Sequence, residues 1–164
     1  MIQAVIFDMD GVLIDSEPIY LEQLLQFVRR KNPKVRWEEL SQVAGRSGED
    51  CWERIRMITH SDCAWQMLRQ EYRDSRKRQP PMNYRAIFRQ EVIGVLKELK
   101  ERGIKAAVAS STDLAIVEYV LRENHIRDEF QIVVSGEMFH RSKPDPEIYR
   151  YTVRLLEVEN KDCL

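Results

Sequence analysis

Ala4-Val5-Ile6-Phe7-Asp8-Met9-Asp10-Gly11 decides the fold: an apolar run stops abruptly at two carboxylates separated by one residue. Such a run reads as a buried strand of an open α/β sheet, where ligands sit beyond the carboxyl ends of the strands. Side chains alternate along a strand, so Asp8 and Asp10 leave on one side if the extended path continues. Gly11 then permits a sharp turn and a close approach of backbone to ligand. Two carboxylates this close repel, by about 4 kcal/mol at ~4 Å and an effective dielectric of ~20. Either one of them is protonated, or a hard cation such as Mg2+ lies between them and a substrate. The same letters also fit a plain strand ended by an Asp-Gly turn.

The residues that follow separate these readings. Asp8-Met9-Asp10-Gly11-Val12-Leu13-Ile14-Asp15-Ser16-Glu17 resembles the first motif of the haloacid dehalogenase superfamily, in its phosphatase and phosphoglucomutase-like branch. Ala107-Val108-Ala109-Ser110-Ser111-Thr112 resembles the second motif, a strand ending in Ser or Thr. Ser142-Lys143-Pro144-Asp145-Pro146 resembles the third, a Lys at a loop-to-helix junction. The three motifs occur in the family's order.

The resemblance implies phosphoryl transfer and a role for each residue. Asp8 is the expected nucleophile, forming an aspartyl-phosphate, and Asp10 the expected general acid and then base. Both are expected Mg2+ ligands. The Ser110 hydroxyl and the Ser111 main-chain N–H are expected to bind the transferring phosphoryl at the start of the next helix. Lys143 is expected to neutralise phosphate oxygens and the Asp8 carboxylate. Helix capping is the competing role for Ser110, Ser111, Thr112 and Asp145. Gly45-Arg46-Ser47-Gly48-Glu49 lies where the family presents a specificity loop, and Arg46 with Ser47 is the expected substrate contact, though a solvated Arg fits as well.

Working outward, residues 16–82 show helical spacing and no strand pattern. Leu21, Leu24, Leu25 and Val28 mark the first helix, with Ser16 as its expected N-cap. Short helices are expected over 36–45, 49–58 and 62–76, the last capped by Ser61 or Asp62. Trp37, Trp52 and Trp65 are expected to pack this unit's core. Beyond Pro80-Pro81 a helix over 84–102 leads to Gly103, then a strand (104–109), a helix (114–124), a strand (132–134) and a helix from Asp145 to Leu156. Alternating strands and helices indicate a parallel sheet with right-handed crossovers. The expected fold is therefore α/β: a Rossmann-like core (1–15 and 83–164) with an inserted all-helical cap (16–82), hinged near Ile14–Pro18 and Pro80–Asn83.

Composition bounds the partners. Lys plus Arg number 26 against 27 Asp plus Glu, a net charge of -1. That balance gives no reason to expect nucleic acid or membrane as a partner, and a small phosphorylated metabolite is expected instead. The basic run Arg73–Arg78 reads as a solvated helix end. Three cysteines without CxxC spacing fit reduced thiols, and no export signal or 18-residue apolar run is visible, so a cytoplasmic setting is expected. His60, His125 and His140 lack zinc-like spacing and read as surface or capping residues. Oligomeric state leaves no mark in the sequence.

Two departures from the family pattern bear on activity. The fourth motif, an acidic pair on a strand beside the first, finds no match after Lys143, and that strand would begin at Asp162-Cys163-Leu164. An incomplete chain with weak Mg2+ binding and little turnover is therefore expected, with an inactive binding fragment as the non-enzyme alternative. The family's mutases carry a His after the first motif and a cation later in the cap loop, where Tyr20 and Gly48 stand here. A Mg2+-dependent phosphatase acting on a small phosphomonoester, a sugar phosphate, is the leading expectation, and β-phosphoglucomutase the alternative. A dehalogenase fits less well, because Asp10 and Mg2+ serve phosphoryl rather than halide leaving groups.

Overall fold

The computed structural model describes residues 1–41, 43, 48–78, 82–141 and 143–164. They divide into two compact units, Met1–Ser16 with Asn83–Leu164, and Glu17–Met82. The expected Pro80-Pro81 hinge lies outside the described residues. No helix among those described is long and apolar enough to cross a membrane.

The first unit is built on three parallel strands, β1 (Ala4–Phe7), β2 (Lys105–Ser110) and β3 (Ile132–Ser135), in that order. Phe7 pairs with Val108, and Ser110 with Ser135, so the strands end together at one edge. Three helices flank the sheet: α5 (Glu91–Glu101), α6 (Leu114–Glu123) and α7 (Glu147–Leu156). β2 is buried almost throughout, and its period-2 alternation feeds two cores. Ala106 and Val108 pack with Val92, Leu96, Val117, Val120 and Leu121 of α5 and α6. Ala107 and Ala109 face the other way, toward Leu156 and Ile148 of α7. Each large apolar side chain so buried contributes roughly 1.5–3 kcal/mol.

On the side of β1 away from β2, Cys163 forms a parallel bridge with Ala4. Leu164 N donates to Ala4 O at 3.0 Å, and Ile6 N to Leu164 O at 2.8 Å. Pairing beside the first strand thus begins at the residues expected from the sequence. The Asp162 carboxylate accepts from Gln3 Nε2 at 2.8 Å, which places it at the amino end of β1, away from Asp8.

The second unit is helical: α1 (Glu17–Lys31), α2 (Trp37–Ser41), α3 (Gly48–Ile58) and α4 (Trp65–Lys77). Its core joins Leu25, Phe27, Val28, Leu40, Trp52, Ile55, Leu68 and Tyr72. The Tyr72 ring meets Phe27 edge-on at 5.3 Å and Trp52 at 5.5 Å, geometries that suit the aromatic quadrupoles.

Several expectations need correction. The helix expected over 84–102 spans only Glu91–Glu101, because residues 84–87 form turns and Phe88 bridges antiparallel to Ile14. Arg89 N donates to Leu13 O at 3.0 Å, and Asp15 N to Ile87 O at 2.8 Å, so this backbone serves the loop after β1. The short helix expected over 36–45 ends at Ser41, and Gln42, Ala44 and Gly45 lie outside the described residues. α4 starts after Ala64 with no side-chain cap, so neither Ser61 nor Asp62 fills that role. Trp37 is 43% exposed rather than part of a core. Cys51, Cys63 and Cys163 form no disulfide. His60, His125 and His140 are exposed, the first two at left-handed backbone positions.

Candidate active site

The loop after β1 is coiled rather than extended. Leu13 N and Ile14 N both donate to Met9 O, at 2.9 and 3.1 Å, and Gly11 N donates to Ile14 O at 2.8 Å. Gly11 has φ +76°, a left-handed conformation that a side chain would strain. Met9, Leu13 and Ile14 are fully buried and anchor the loop from below. The straight path that would send Asp8 and Asp10 to one side therefore ends at Phe7. Each carboxylate instead finds its own partners.

Asp8 stands directly after β1 with its side chain 37% exposed. Its Oδ1 accepts from Met9 N at 2.8 Å and lies 3.0 Å from Lys143 Nζ. Lys143 is fixed from three directions. Besides Asp8, its ammonium donates to Ala109 O at 2.7 Å and sits 5.3 Å from the ring centre of Tyr149 on α7. The result is a cation at the shared ends of β1 and β2, held by a carboxylate, a carbonyl and an aromatic face. Among the described residues, no hydrogen bond or ion pair reaches Asp8 Oδ2.

Asp10 is held by hydroxyls. Ser16 Oγ donates to its Oδ1 at 2.6 Å and Thr112 Oγ1 to its Oδ2 at 2.7 Å. Ser16 is fully buried at the position before α1, and its hydroxyl proton goes to Asp10. The Ser110 hydroxyl accepts from Thr112 N at 3.1 Å, and the residue is fully buried. A hydroxyl that accepts one bond still has its own proton to donate. Ser111 is exposed at the turn before α6. Asp145 Oδ1 accepts from Glu147 N at 3.0 Å, but the N-cap position of α7 is Pro146, with no side-chain cap hydrogen bond.

The geometry thus joins Asp8 to Lys143, and Asp10 through Thr112 to Ser110. Arg46 and Ser47 lie outside the described residues, as does Ser142. Sequence reasoning missed Ser16 and Thr112 as partners of Asp10, Tyr149 as a support for Lys143, and Ser135. The Ser135 hydroxyl donates to Thr112 O at 2.7 Å and accepts from Glu137 N at 3.2 Å. A signal for Ser135 existed: Val133-Val134-Ser135-Gly136 is a second apolar strand ending in a hydroxyl, in the pattern of Val108-Ala109-Ser110.

Residues 5–164 match the family of haloacid dehalogenase-like hydrolases. The chain belongs to that family. This haloacid dehalogenase-like hydrolase is 30% identical over 170 residues to a phosphorylated carbohydrates phosphatase of Thermotoga maritima, covering 95% of this chain and 71% of that one. It is 27% identical over 174 residues to a β-phosphoglucomutase of Bacillus subtilis, covering 98% and 73%. Its fold matches a crystal structure described as a HAD hydrolase, family IA, variant 3, from Entamoeba histolytica. That match has a TM-score of 0.71 at 21% identity and covers 99% of this chain and 74% of the other.

Proposed function

We propose that this chain is a Mg2+-dependent phosphoryl-transfer hydrolase that cleaves a small phosphomonoester, a sugar phosphate, through an aspartyl-phosphate on Asp8. The observation that carries the reading is the Asp8–Lys143 pair at the ends of β1 and β2, 3.0 Å apart. Phosphoryl transfer needs an oxygen nucleophile in line with the leaving group and positive charge facing the equatorial oxygens, and the pair sets a carboxylate oxygen and an ammonium side by side for those two roles. In the first step an Asp8 carboxylate oxygen bonds to phosphorus while the ester P–O bond breaks. The leaving alkoxide takes its proton from Asp10. In the second step water attacks the acyl phosphate, Asp10 takes a proton from that water, and inorganic phosphate leaves with Asp8 restored. Ser110 and the Ser111 N–H are assigned to the phosphoryl oxygens, with Lys143 countering their charge.

Two carboxylates suit Mg2+, which keeps several waters and is bound through one or two carboxylates plus substrate phosphate. Asp8 offers Oδ2. Asp10 already accepts one hydroxyl on each oxygen, although a carboxylate oxygen has further lone-pair capacity. Among the described residues no cluster of three His, Cys, Asp or Glu side chains is built to hold a metal. Asp8 and Asp10 would be the residues that hold it, and it would supply charge neutralisation of the phosphoryl group there.

The helical unit is assigned the role of cap, with Arg46 and Ser47 as its substrate contacts. A sugar phosphate is favoured as substrate because the Thermotoga relative is named for phosphorylated carbohydrates. Hydrolysis is favoured over mutase chemistry because Tyr20 and Gly48 replace the His and cation of the family's mutases. The test is phosphate release from hexose phosphates, run beside conversion of glucose 1-phosphate to glucose 6-phosphate. Phosphate release that Asp8→Asn abolishes supports the reading; isomer conversion without release replaces it with the mutase.

A further inference from the structure

The loop after β1 and the carboxyl ends of β2 and β3 converge on one residue that no part of the reaction scheme yet uses. Thr112 donates through Oγ1 to Asp10 Oδ2 at 2.7 Å, and through its N–H to Ser110 Oγ at 3.1 Å. Its carbonyl accepts from Ser135 Oγ at 2.7 Å. All three of its hydrogen-bonding groups are committed, one to the loop after β1 and the other two to the last residues of β2 and β3. Ser110 and Ser135, its anchors on β2 and β3, are both fully buried. Gly136 fixes the same loop from the β3 side, since a Cβ there would sit 3.1 Å from Ser111 Cα. The backbone that presents Thr112 is therefore pinned, and its hydroxyl is the variable end of a rigid bracket.

We propose that Thr112 is a positioning residue for Asp10, holding its carboxylate where the leaving alkoxide takes up its proton. The role deepens the phosphatase reading and rests on it. Hydroxyls on both carboxylate oxygens, Thr112 on one and Ser16 on the other, fix the plane of the group. Proton transfer demands heavy atoms within about 2.6–3.2 Å, so a carboxylate free to rotate spends much of its time misaligned. A helix-capping role predicts none of this: the N-cap of α6 is Asp113, one residue on, and no side chain caps that helix.

The test compares two leaving groups in Thr112→Val, which keeps the shape of the side chain and removes the hydroxyl. A hexose 6-phosphate releases an alkoxide that must be protonated, whereas p-nitrophenyl phosphate releases a stable phenolate. Positioned general-acid catalysis contributes about 10²–10⁴-fold, so kcat/KM on the hexose phosphate, which covers only the steps up to departure of the alkoxide, should fall by about 10–100-fold. With p-nitrophenyl phosphate kcat/KM should stay within about threefold, since that leaving group scarcely needs the acid and the later hydrolysis of the acyl phosphate does not enter this ratio. Thr112→Ser should restore kcat/KM on the hexose phosphate. Should the Val variant not fold, Thr112→Ala carries the same comparison. Equal loss on both esters, no loss on either, failure of Ser to rescue, or unfolding of both the Val and Ala variants overturns the positioning role alone. A wild-type chain that hydrolyses neither ester overturns the phosphatase reading beneath it.

Discussion

Replacing Lys143 by Met keeps the length of the side chain and its contact with the Tyr149 ring while deleting the ammonium. Two effects follow, of very different size. Unit charges about 3–4 Å apart near a protein surface attract by about 4 kcal/mol, but most of that is offset by the solvation each group gives up. A hydrogen bond to a charged group contributes a net ~1.5–3 kcal/mol. Asp8 is 37% exposed and water can re-solvate it, so the low end applies. Loss of about 1–1.5 kcal/mol lowers Tm by about 2–6 °C for a chain of this size. Catalysis suffers more, because a pre-placed donor to developing transition-state charge is worth about 10²–10³ in kcat. The assay pairs a thermal melt with phosphate release from a hexose phosphate, scored as the ratio of variant to wild type. A large fall in kcat beside a small fall in Tm is expected. A fall in Tm with kcat within threefold of wild type would show that Lys143 only braces the strand ends, and would refute its role at phosphate.

Two further predictions concern the fold. Leu121 is fully buried between the sheet and α6, and Leu121→Ala should cost about 3 kcal/mol through lost burial and the cavity left behind. A thermal melt should then show Tm lower by about 6–12 °C, and an unchanged Tm would place Leu121 outside the core. Burial pushes the Tyr72 phenol above its ordinary range, with nearby Arg76 pulling it down and Cys51 adding to the rise. The folded state therefore holds this proton more tightly than the unfolded one. The associated stability is complete below the unfolded value near ~10 and is lost as pH rises through the folded value. Tyr72→Phe should flatten the alkaline decline in denaturant midpoint, and an identical decline in both proteins would contradict the assignment.

Much of this architecture was legible because period and punctuation agree along the chain. The run Ala4–Phe7, the strand at Lys105–Ser110 and the strand at Ile132–Ser135 carry alternations or apolar runs that only a covered parallel sheet can bury. Gly103, at φ +66°, ends its helix as its position suggested. Failures came where a long-range contact overrode local pattern. Residues 84–88 have helical spacing, yet their backbone is taken up by the loop of Leu13, Ile14 and Asp15, some 70 positions away. Ser16 stands where an N-cap would, and its hydroxyl donates to the Asp10 carboxylate at 2.6 Å, a contact that local pattern does not reveal.

The site divides in the same way. Asp8, Asp10, Ser110 and Lys143 were readable as candidates because each stands near the end of a strand or before a helix, in a motif whose chemistry restricts the residue type. Thr112, Ser135 and Tyr149 were not, because a hydroxyl beside a helix start or an aromatic on a helix has ordinary uses that local sequence cannot separate from support. The register of β2 against β3, which sets Ser110 beside Ser135, brings the Ser135 hydroxyl within reach of the Thr112 carbonyl, and Tyr149 reaches Lys143 from α7.

The claim on which the rest depends is covalent: Asp8 carries the phosphoryl group between two half-reactions. Acid quenching of the chain during turnover of a labelled phosphate ester, followed by peptide mapping, tests it directly. The account predicts one base-labile phosphoryl group on the peptide containing Asp8, absent from Asp8→Asn. Label on another residue, or phosphate release with no labelled protein at any quench time, would contradict it.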